Sequence, residues 1–392
     1  MPSHSPLLSK LAELLVENSL GDARLTPRPR GGRLDGEARL KVEKVLAELE
    51  ALPPVSVDLV YGNGCFAVGR YADAAGVYRN VLEGQPEAQD ARFNLGLAYL
   101  RLRQAPEAVT EFTIVLNSDP KMAEAHYQIG NAHDDQGERE LALADYARAI
   151  EFRPAYLQAI YNRGVVLARM GRHVEAVKEF DRAVGLRPDL SNAYLNRGAS
   201  LDELEQHEAA IADYTSAIGC NPSNADAFFN RARTHYYLEH IEDSIRDYSQ
   251  VLELVPDDAE ALNNRGLAFD AQGDYEKAVE DYGRAVAMRP DFAESLSNRG
   301  AALEALGNKE EALAEYLAAL TAAPNFAAAH YNAARLYAQS GEVDRCLPHL
   351  ETAMQLVPDL RSEADGDDVL GWVLKLSRIK EERRRSLTDS PD

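Results

Sequence analysis

Cysteine and tryptophan are scarce: three and one in 392 residues. An odd, small number of thiols builds no disulfide framework and suits a reducing compartment, so the expected location is the cytoplasm. No apolar run reaches the roughly 18–20 residues of a membrane span, so no membrane insertion is expected. Met1 to Lys10 has no basic start leading into an apolar core and a small-residue cleavage site, and no secretory leader is expected there. Positive charge is also short. Lys and Arg number 42 against 64 Asp and Glu, a formal charge of −22. That balance argues against nucleic acid as a main ligand, because phosphate binding needs a basic footprint, and it admits a basic partner. Catalytic and cofactor signatures are missing as well: no phosphate-binding loop ending in Gly-Lys-Ser or Gly-Lys-Thr, no His-Glu-x-x-His and no pair of Cys-x-x-Cys motifs. With 45% hydrophobic and 27% charged residues, the chain is nonetheless an ordinary folding composition.

What is present is a period. Prolines fall at Pro86, Pro120, Pro154, Pro188, Pro222, Pro256, Pro290, Pro324 and Pro358, every gap being 34. An aromatic stands eight residues before eight of them, from Tyr78 and Phe112 to Tyr282 and Tyr316. Small residues stand twelve before (Ala74, Ala108, Ser244, Ala312) and 24 before (Gly62, Gly96, Gly130, Gly164, Ala232, Gly266). Numbering each unit so that its proline is slot 32, slots 4, 7, 8 and 11 make one helical stripe and slots 20, 24 and 27 a second. Glycine recurs near slot 15, where a helix C-terminus wants a left-handed residue: Gly69, Gly137, Gly171, Gly273, Gly307 and Gly341. Small residues at slots 8 and 20 predict a close helix crossing, with the slot-24 aromatic filling the space beside it. Slot 7 is Arg163, Arg197, Arg231, Arg265 and Arg299 in five units; slot 23 of the same units is acidic, which predicts ion pairs inside each unit.

These slots resemble the tetratricopeptide repeat, a 34-residue helix–turn–helix unit. The resemblance covers Val55 to Pro358, nine units. It implies an all-α, right-handed superhelical solenoid with helical caps. The sequence departs from the family pattern at slot 4, which holds no tryptophan, and at slot 7, where arginine replaces leucine. The ninth unit carries Cys346 at slot 20, Leu350 at slot 24 and Pro348 inside its second helix. Residues 1–54 read as two apolar helical stripes, on Leu7 to Leu15 and on Arg39 to Leu49, joined by an Arg, Gly and Pro-rich linker; the second stripe predicts an N-terminal cap. Residues 359–385 predict a capping helix from about Asp367 to Arg384 that covers the open end with Val369, Leu370, Trp372, Val373, Leu376 and Ile379. Residues 386–392 read as a disordered tail, and Arg383 to Arg385 before Ser386 as a solvated end rather than a kinase site.

Competing chemistry loses on register. Gly62-Asn63-Gly64 followed by Gly69 mimics a dinucleotide loop, but its glycines are the structural slots 8 and 15. Cys65, Cys220 and Cys346 occupy slots 11, 30 and 20 and cannot converge in a linear stack, so no metal, cofactor or catalytic residue is expected.

In the tetratricopeptide family the outer slots of the first helix line a concave groove. Slot 6 there is asparagine in seven units: Asn94, Asn162, Asn196, Asn230, Asn264, Asn298 and Asn332. Asparagine is a mediocre helix former, and its amide both donates and accepts. The row is similar to that in the repeat domain of O-linked N-acetylglucosamine transferase, although no glycosyltransferase domain follows; copying with the repeat, or bridging of neighbouring helices, accounts for it equally well. Acids outnumber arginines at the other groove slots by 11 to 4 and include Asp134, Asp202, Glu203 and Asp270. Phe229, Tyr236 and Tyr237 in unit six add aromatic anchors. The family's carboxylate clamp for chaperone tails finds Leu59, Asn63, Asn94, Glu124 and Gln128 at its five positions; two match and the charges are wrong. The expected function is a non-enzymatic protein–protein interaction scaffold whose acidic, asparagine-lined groove holds a basic peptide or protein segment. The alternative is a regulatory or substrate-selecting subunit of a separate enzyme, such as a transferase.

Overall fold

A computed structural model describes residues 5–17, 36–51, 58–376 and 378. The linker after residue 17 and the tail with Ser386 lie outside the described residues. Every regular element described is a helix. The chain forms two compact units, Met1–Ser200 and Leu201–Asp392.

In both units the period of 34 becomes pairs of antiparallel helices, here A and B; in repeats one to four, and again from the B helix of repeat five to repeat nine, each packs on its sequence neighbours, and the A helices of repeats one to three and of repeats six to nine also touch in succession. Repeat three shows the pattern: helix A is Ala123–Asp135 and helix B is Arg139–Phe152. The slot-24 aromatics Tyr78, Phe112, Tyr146, Phe180, Tyr214, Tyr282 and Tyr316 are fully buried, as are the slot-20 residues Ala74, Ala142, Ser244 and Cys346. The degenerate ninth repeat still forms both helices, Ala327–Gln339 and Val343–Leu356, with Pro348 inside the second.

Each A helix ends the same way. The slot-16 amide donates back to the slot-11 carbonyl, as in Arg70 N to Cys65 O at 2.8 Å and Asp274 N to Phe269 O at 2.9 Å. This six-residue closure requires a left-handed residue at slot 15. Six repeats supply glycine there, with φ between 73° and 86°. Repeats two, five and six force Arg103, Glu205 and Glu239 to φ of 59–61°. A side chain in that region costs about 1–2 kcal/mol, partly returned by the smaller entropy of the unfolded chain. Arg103→Gly, Glu205→Gly and Glu239→Gly should therefore each stabilise the fold by about 0.5–1 kcal/mol. Urea titration of the three variants tests this; no gain at any of them would show that the turn carries no strain.

Two helices, Ser5–Glu17 and Gly36–Glu50, precede the repeats and pack on each other and on the first A helix, Leu59–Ala67. Leu11, Leu15, Val42, Leu46 and Leu49 share one buried cluster with Cys65 and Phe66 of repeat one. At the other end the expected single helix is preceded by a short one, Leu360–Gly366, and the following helix is described over residues 368–376. Asp367 caps it, accepting from the Val369 and Leu370 amides at 2.9 and 2.8 Å. Leu370 and Val373 are buried against Tyr331, Tyr337 and Leu350. Trp372 is not part of that cover: it is 52% exposed, because it lies on the opposite side of the helix from Leu370 and Val373.

Candidate functional site

The A helices present slots 5, 6, 9, 12 and 13 along one face. At 100° per residue these positions cannot all point outward, and the structure separates them. In the first unit the asparagine row is used inside the protein. Asn94 is buried, and its amide donates to Asn63 Oδ1 at 3.0 Å, where the Tyr78 hydroxyl also donates at 2.9 Å. Asn94 therefore does not line an open groove, contrary to the expectation from its slot. Asn162 donates to Asn131 Oδ1 at 3.0 Å and to the Tyr127 hydroxyl oxygen at 3.2 Å; Asn196 donates to the Tyr161 hydroxyl oxygen at 2.8 Å. Each of these bonds ties one A helix to the A helix before it.

In the second unit Asn298 donates to Asn263 Oδ1 at 3.2 Å, and Asn263 donates to Asn264 Oδ1 at 3.2 Å. Asn264 also bonds the Tyr248 hydroxyl. Asn230 and Asn332 are half-buried and have no side-chain bond among the described residues.

The acids separate in the same way. Asp134 is held by Arg169 Nη1 at 3.2 Å. Asp202 accepts from the Tyr214 hydroxyl at 2.7 Å and the Thr234 hydroxyl at 2.6 Å, with His207 Nδ1 at 3.1 Å. It is a packing group rather than an open charge. Glu203, the next residue, is exposed and has no partner among the described residues. Asp270 is half-buried, also without a partner, and burial alone raises its carboxyl above the ordinary range. Of the aromatics, Phe229 meets Tyr248 edge-on at 5.5 Å, Tyr236 is half-buried, and Tyr237 is 68% exposed with its ring 4.6 Å from that of His207.

Thr234, His207 and the slot-24 hydroxyls escaped the sequence reading. Their signal was the choice of tyrosine over phenylalanine at slot 24, which packing alone does not require. The arginines of slot 7 reach slot 23 in Arg163–Glu179 (2.8 Å), Arg231–Asp247 (2.7 Å), Arg265–Asp281 (2.7 Å) and Arg299–Glu315 (3.3 Å). Arg197 also meets Asp181 of the preceding repeat at 2.6 Å. Where slot 7 is apolar the acid finds another partner: Arg92 for Glu111 at 2.9 Å and His133 for Asp145 at 2.8 Å. Among the described residues no three potential metal ligands come together, and no helix is long and apolar enough to cross a membrane.

Stacked helix pairs whose interactions run only between neighbours define the solenoid class of repeat protein. Within that class the chain belongs to the tetratricopeptide repeat family, whose sequence model matches residues 66–123, 127–191, 161–225, 229–291, 268–326 and 298–353. No curated protein matches the chain. Among solved structures it is similar to the C-terminal part of a TPR repeat-containing protein from Cytophaga hutchinsonii, at 14% identity, with 61% of this chain and 98% of that chain covered and a TM-score of 0.53. YrrB, described as a TPR protein with an unusual peptide-binding site, is 24% identical over 47% of this chain and 95% of its own, with a TM-score of 0.43. PilW, described as a widely conserved type IV pilus biogenesis factor, is 22% identical over 53% and 97%, with a TM-score of 0.47.

Proposed function

We propose that the chain is a non-enzymatic scaffold that holds a basic peptide segment of a protein partner on its A-helix face. Tetratricopeptide repeats generally mediate protein–protein interaction, and the finer reading rests on one observation. In repeats five to seven this face keeps polar groups that no described side chain bonds, Glu203, Asn230 and Asp270, beside the exposed ring of Tyr237. Asn94, Asn162, Asn196, Asn264 and Asn298 serve bonds between helices, so the proposal narrows the asparagine row to Asn230 and Asn332. The odd, small number of cysteines is the ground for placing this scaffold in the cytoplasm.

The test is a random dodecapeptide library panned on the full chain, followed by titration calorimetry of the best binder. Asn230→Ala with Tyr237→Ala should keep the fold, since alanine is the better helix former, and weaken binding by about tenfold or more. Glu203→Lys should slow association and flatten its salt dependence. Unchanged binding in these variants, with loss on substitution of exposed B-helix residues, would place the partner on the other face and refute the proposal.

A further inference from the structure

Slots 12 and 24 of one repeat, with slots 9, 10 or 13 of the next, form a recurring polar contact. In repeat five, Asp202 takes the Tyr214 hydroxyl of slot 24 at 2.7 Å and the Thr234 hydroxyl of the next repeat at 2.6 Å. In repeat eight, Glu304 takes the Tyr316 hydroxyl at 3.2 Å and Arg335 of the next repeat at 3.0 Å. In repeat three, Asp134 takes Arg169 of the next repeat at 3.2 Å. The fold thus supplies each of these acids with a donor from the following A helix.

Repeat seven breaks the rule. Asp270 has no hydrogen bond or ion pair among the described residues. The following A helix offers Ala301, Ala302 and Ala305 at the slots that elsewhere hold arginine or threonine. Tyr282, its slot-24 partner, is fully buried, yet its hydroxyl has no hydrogen-bond partner. Asp270 holds the slot that places Asp202 beside Tyr214 and Glu304 beside Tyr316, and it acts electrostatically on the hydroxyls of Tyr282 and Tyr236. Arg233, on the same face, acts on Tyr214 and Tyr248, and no charged group offsets the burial of Asp270. A half-buried carboxylate and a buried hydroxyl, both unpaired, are each unfavourable in the free protein.

We propose that Asp270, with the hydroxyl of Tyr236 near it, is a receptor for one cationic side chain, a lysine of the bound segment, which supplies in repeat seven the cation that Arg335 supplies in repeat eight. An ammonium has three donors and no acceptor, and this place offers it a carboxylate and a phenolic oxygen. The missing partner, and the exposed Ala301 and Ala305 where repeats nine and four carry Arg335 and Arg169, are both read from the chain. The inference rests on the A-helix face being the binding face.

A double-mutant cycle on the full chain tests it. The probe is the best lysine-containing dodecapeptide from the library, with each lysine replaced in turn by norleucine. Asp270→Asn should cost about tenfold or more in affinity, as close charge pairs across interfaces do. One lysine→norleucine peptide should lose as much, and the two changes together no more than either. In the free protein, Asp270→Asn should hold or raise the melting temperature, because it removes an uncompensated charge; a packing role would lower it. Tyr236→Phe should leave the melting temperature unchanged and weaken the same lysine selectively.

If the peptide responds to Asn230→Ala with Tyr237→Ala but every lysine is additive with Asp270→Asn, the receptor is refuted and the binding face stands. A lowered melting temperature with Asp270→Asn and no coupling also refutes it. If no selected peptide responds to the Asn230 and Tyr237 changes, the binding face is refuted and the receptor with it.

Discussion

Arg265→Met should destabilise the protein by about 3–5 kcal/mol, because it leaves a buried carboxylate without its counter-ion. Arg265 lies in the A helix Ala259–Gln272, and Nε and Nη2 grip Asp281 at 2.7 and 2.8 Å. Its third contact, Nη1 to Ser249 Oγ at 3.0 Å, belongs to the B helix of the preceding repeat. One guanidinium therefore joins three helices. The Asp281 side chain is only 4% exposed, so this is not a solvated surface pair of the 0.2–1 kcal/mol kind. Arg284 approaches Asp281 at 3.8 Å from a 42% exposed position and compensates in part, which favours the lower end of the range. Arg265→Lys keeps the charge but loses the two-pronged geometry and should fall between Met and wild type. Combining Arg265→Met with Asp281→Leu should recover most of the loss, since an apolar pair needs no counter-ion. Guanidinium denaturation of wild type, Arg265→Met, Asp281→Leu and the double variant gives the cycle, with Arg265→Lys measured beside them. A loss below about 1 kcal/mol for Arg265→Met would mean that Asp281 is far better solvated than its burial implies.

These pairs show what a repeat sequence reveals and what it hides. Slots 8, 15, 20 and 24 were legible because each answers one demand that recurs without change: close approach, a left-handed turn, a small neighbour, a large filler. The A-helix face was only half legible, because the period fixes a slot but not a rotamer. Arg163 and Arg231 share a slot, yet Arg231 grips Asp247 through Nε and Nη2 and also reaches Thr215 of the preceding repeat, while Arg163 meets Glu179 through Nη1. A long side chain has more than one way to reach its acid, and local packing selects between them. The asparagines mislead similarly. Asn94 and Asn230 are equivalent in sequence, but Asn63 stands ready to receive Asn94, and no described side chain bonds Asn230. The difference lies in the preceding repeat, which a slot-by-slot reading does not consult. Trp372 reads as apolar cover from composition, and the Asp367 cap sets the helical phase that turns it outward.

Gly130→Val should cost about 3 kcal/mol, the upper end of the usual range for overpacking, and confine its damage to the neighbouring repeats. A Cβ at residue 130 would stand 2.7 Å from Cδ1 and Cε1 of Tyr146 and 3.3 Å from the Ala142 carbonyl oxygen. Tyr146 cannot give way easily: its ring is fully buried, and its hydroxyl donates to Asn131 Oδ1 at 2.8 Å. Ala142 is backbone from the crossing helix, so relief requires the A and B helices to separate. Separation would also disturb Asn131, which accepts from Asn162 and so carries the strain one repeat further. Gly76 supplies the contrast. It lies inside the helix Tyr71–Gly84, and a Cβ there meets nothing within 4 Å, so Gly76→Ala should stabilise by about 0.5–1 kcal/mol through helix propensity alone. Native-state hydrogen exchange read by mass spectrometry separates the two effects. For Gly130→Val, faster exchange should centre on residues 123–152 and fade within one repeat on either side, with residues 259–356 unchanged. Acceleration spread evenly over residues 59–356 would show that the repeats unfold as one block and would overturn the nearest-neighbour account of their stability.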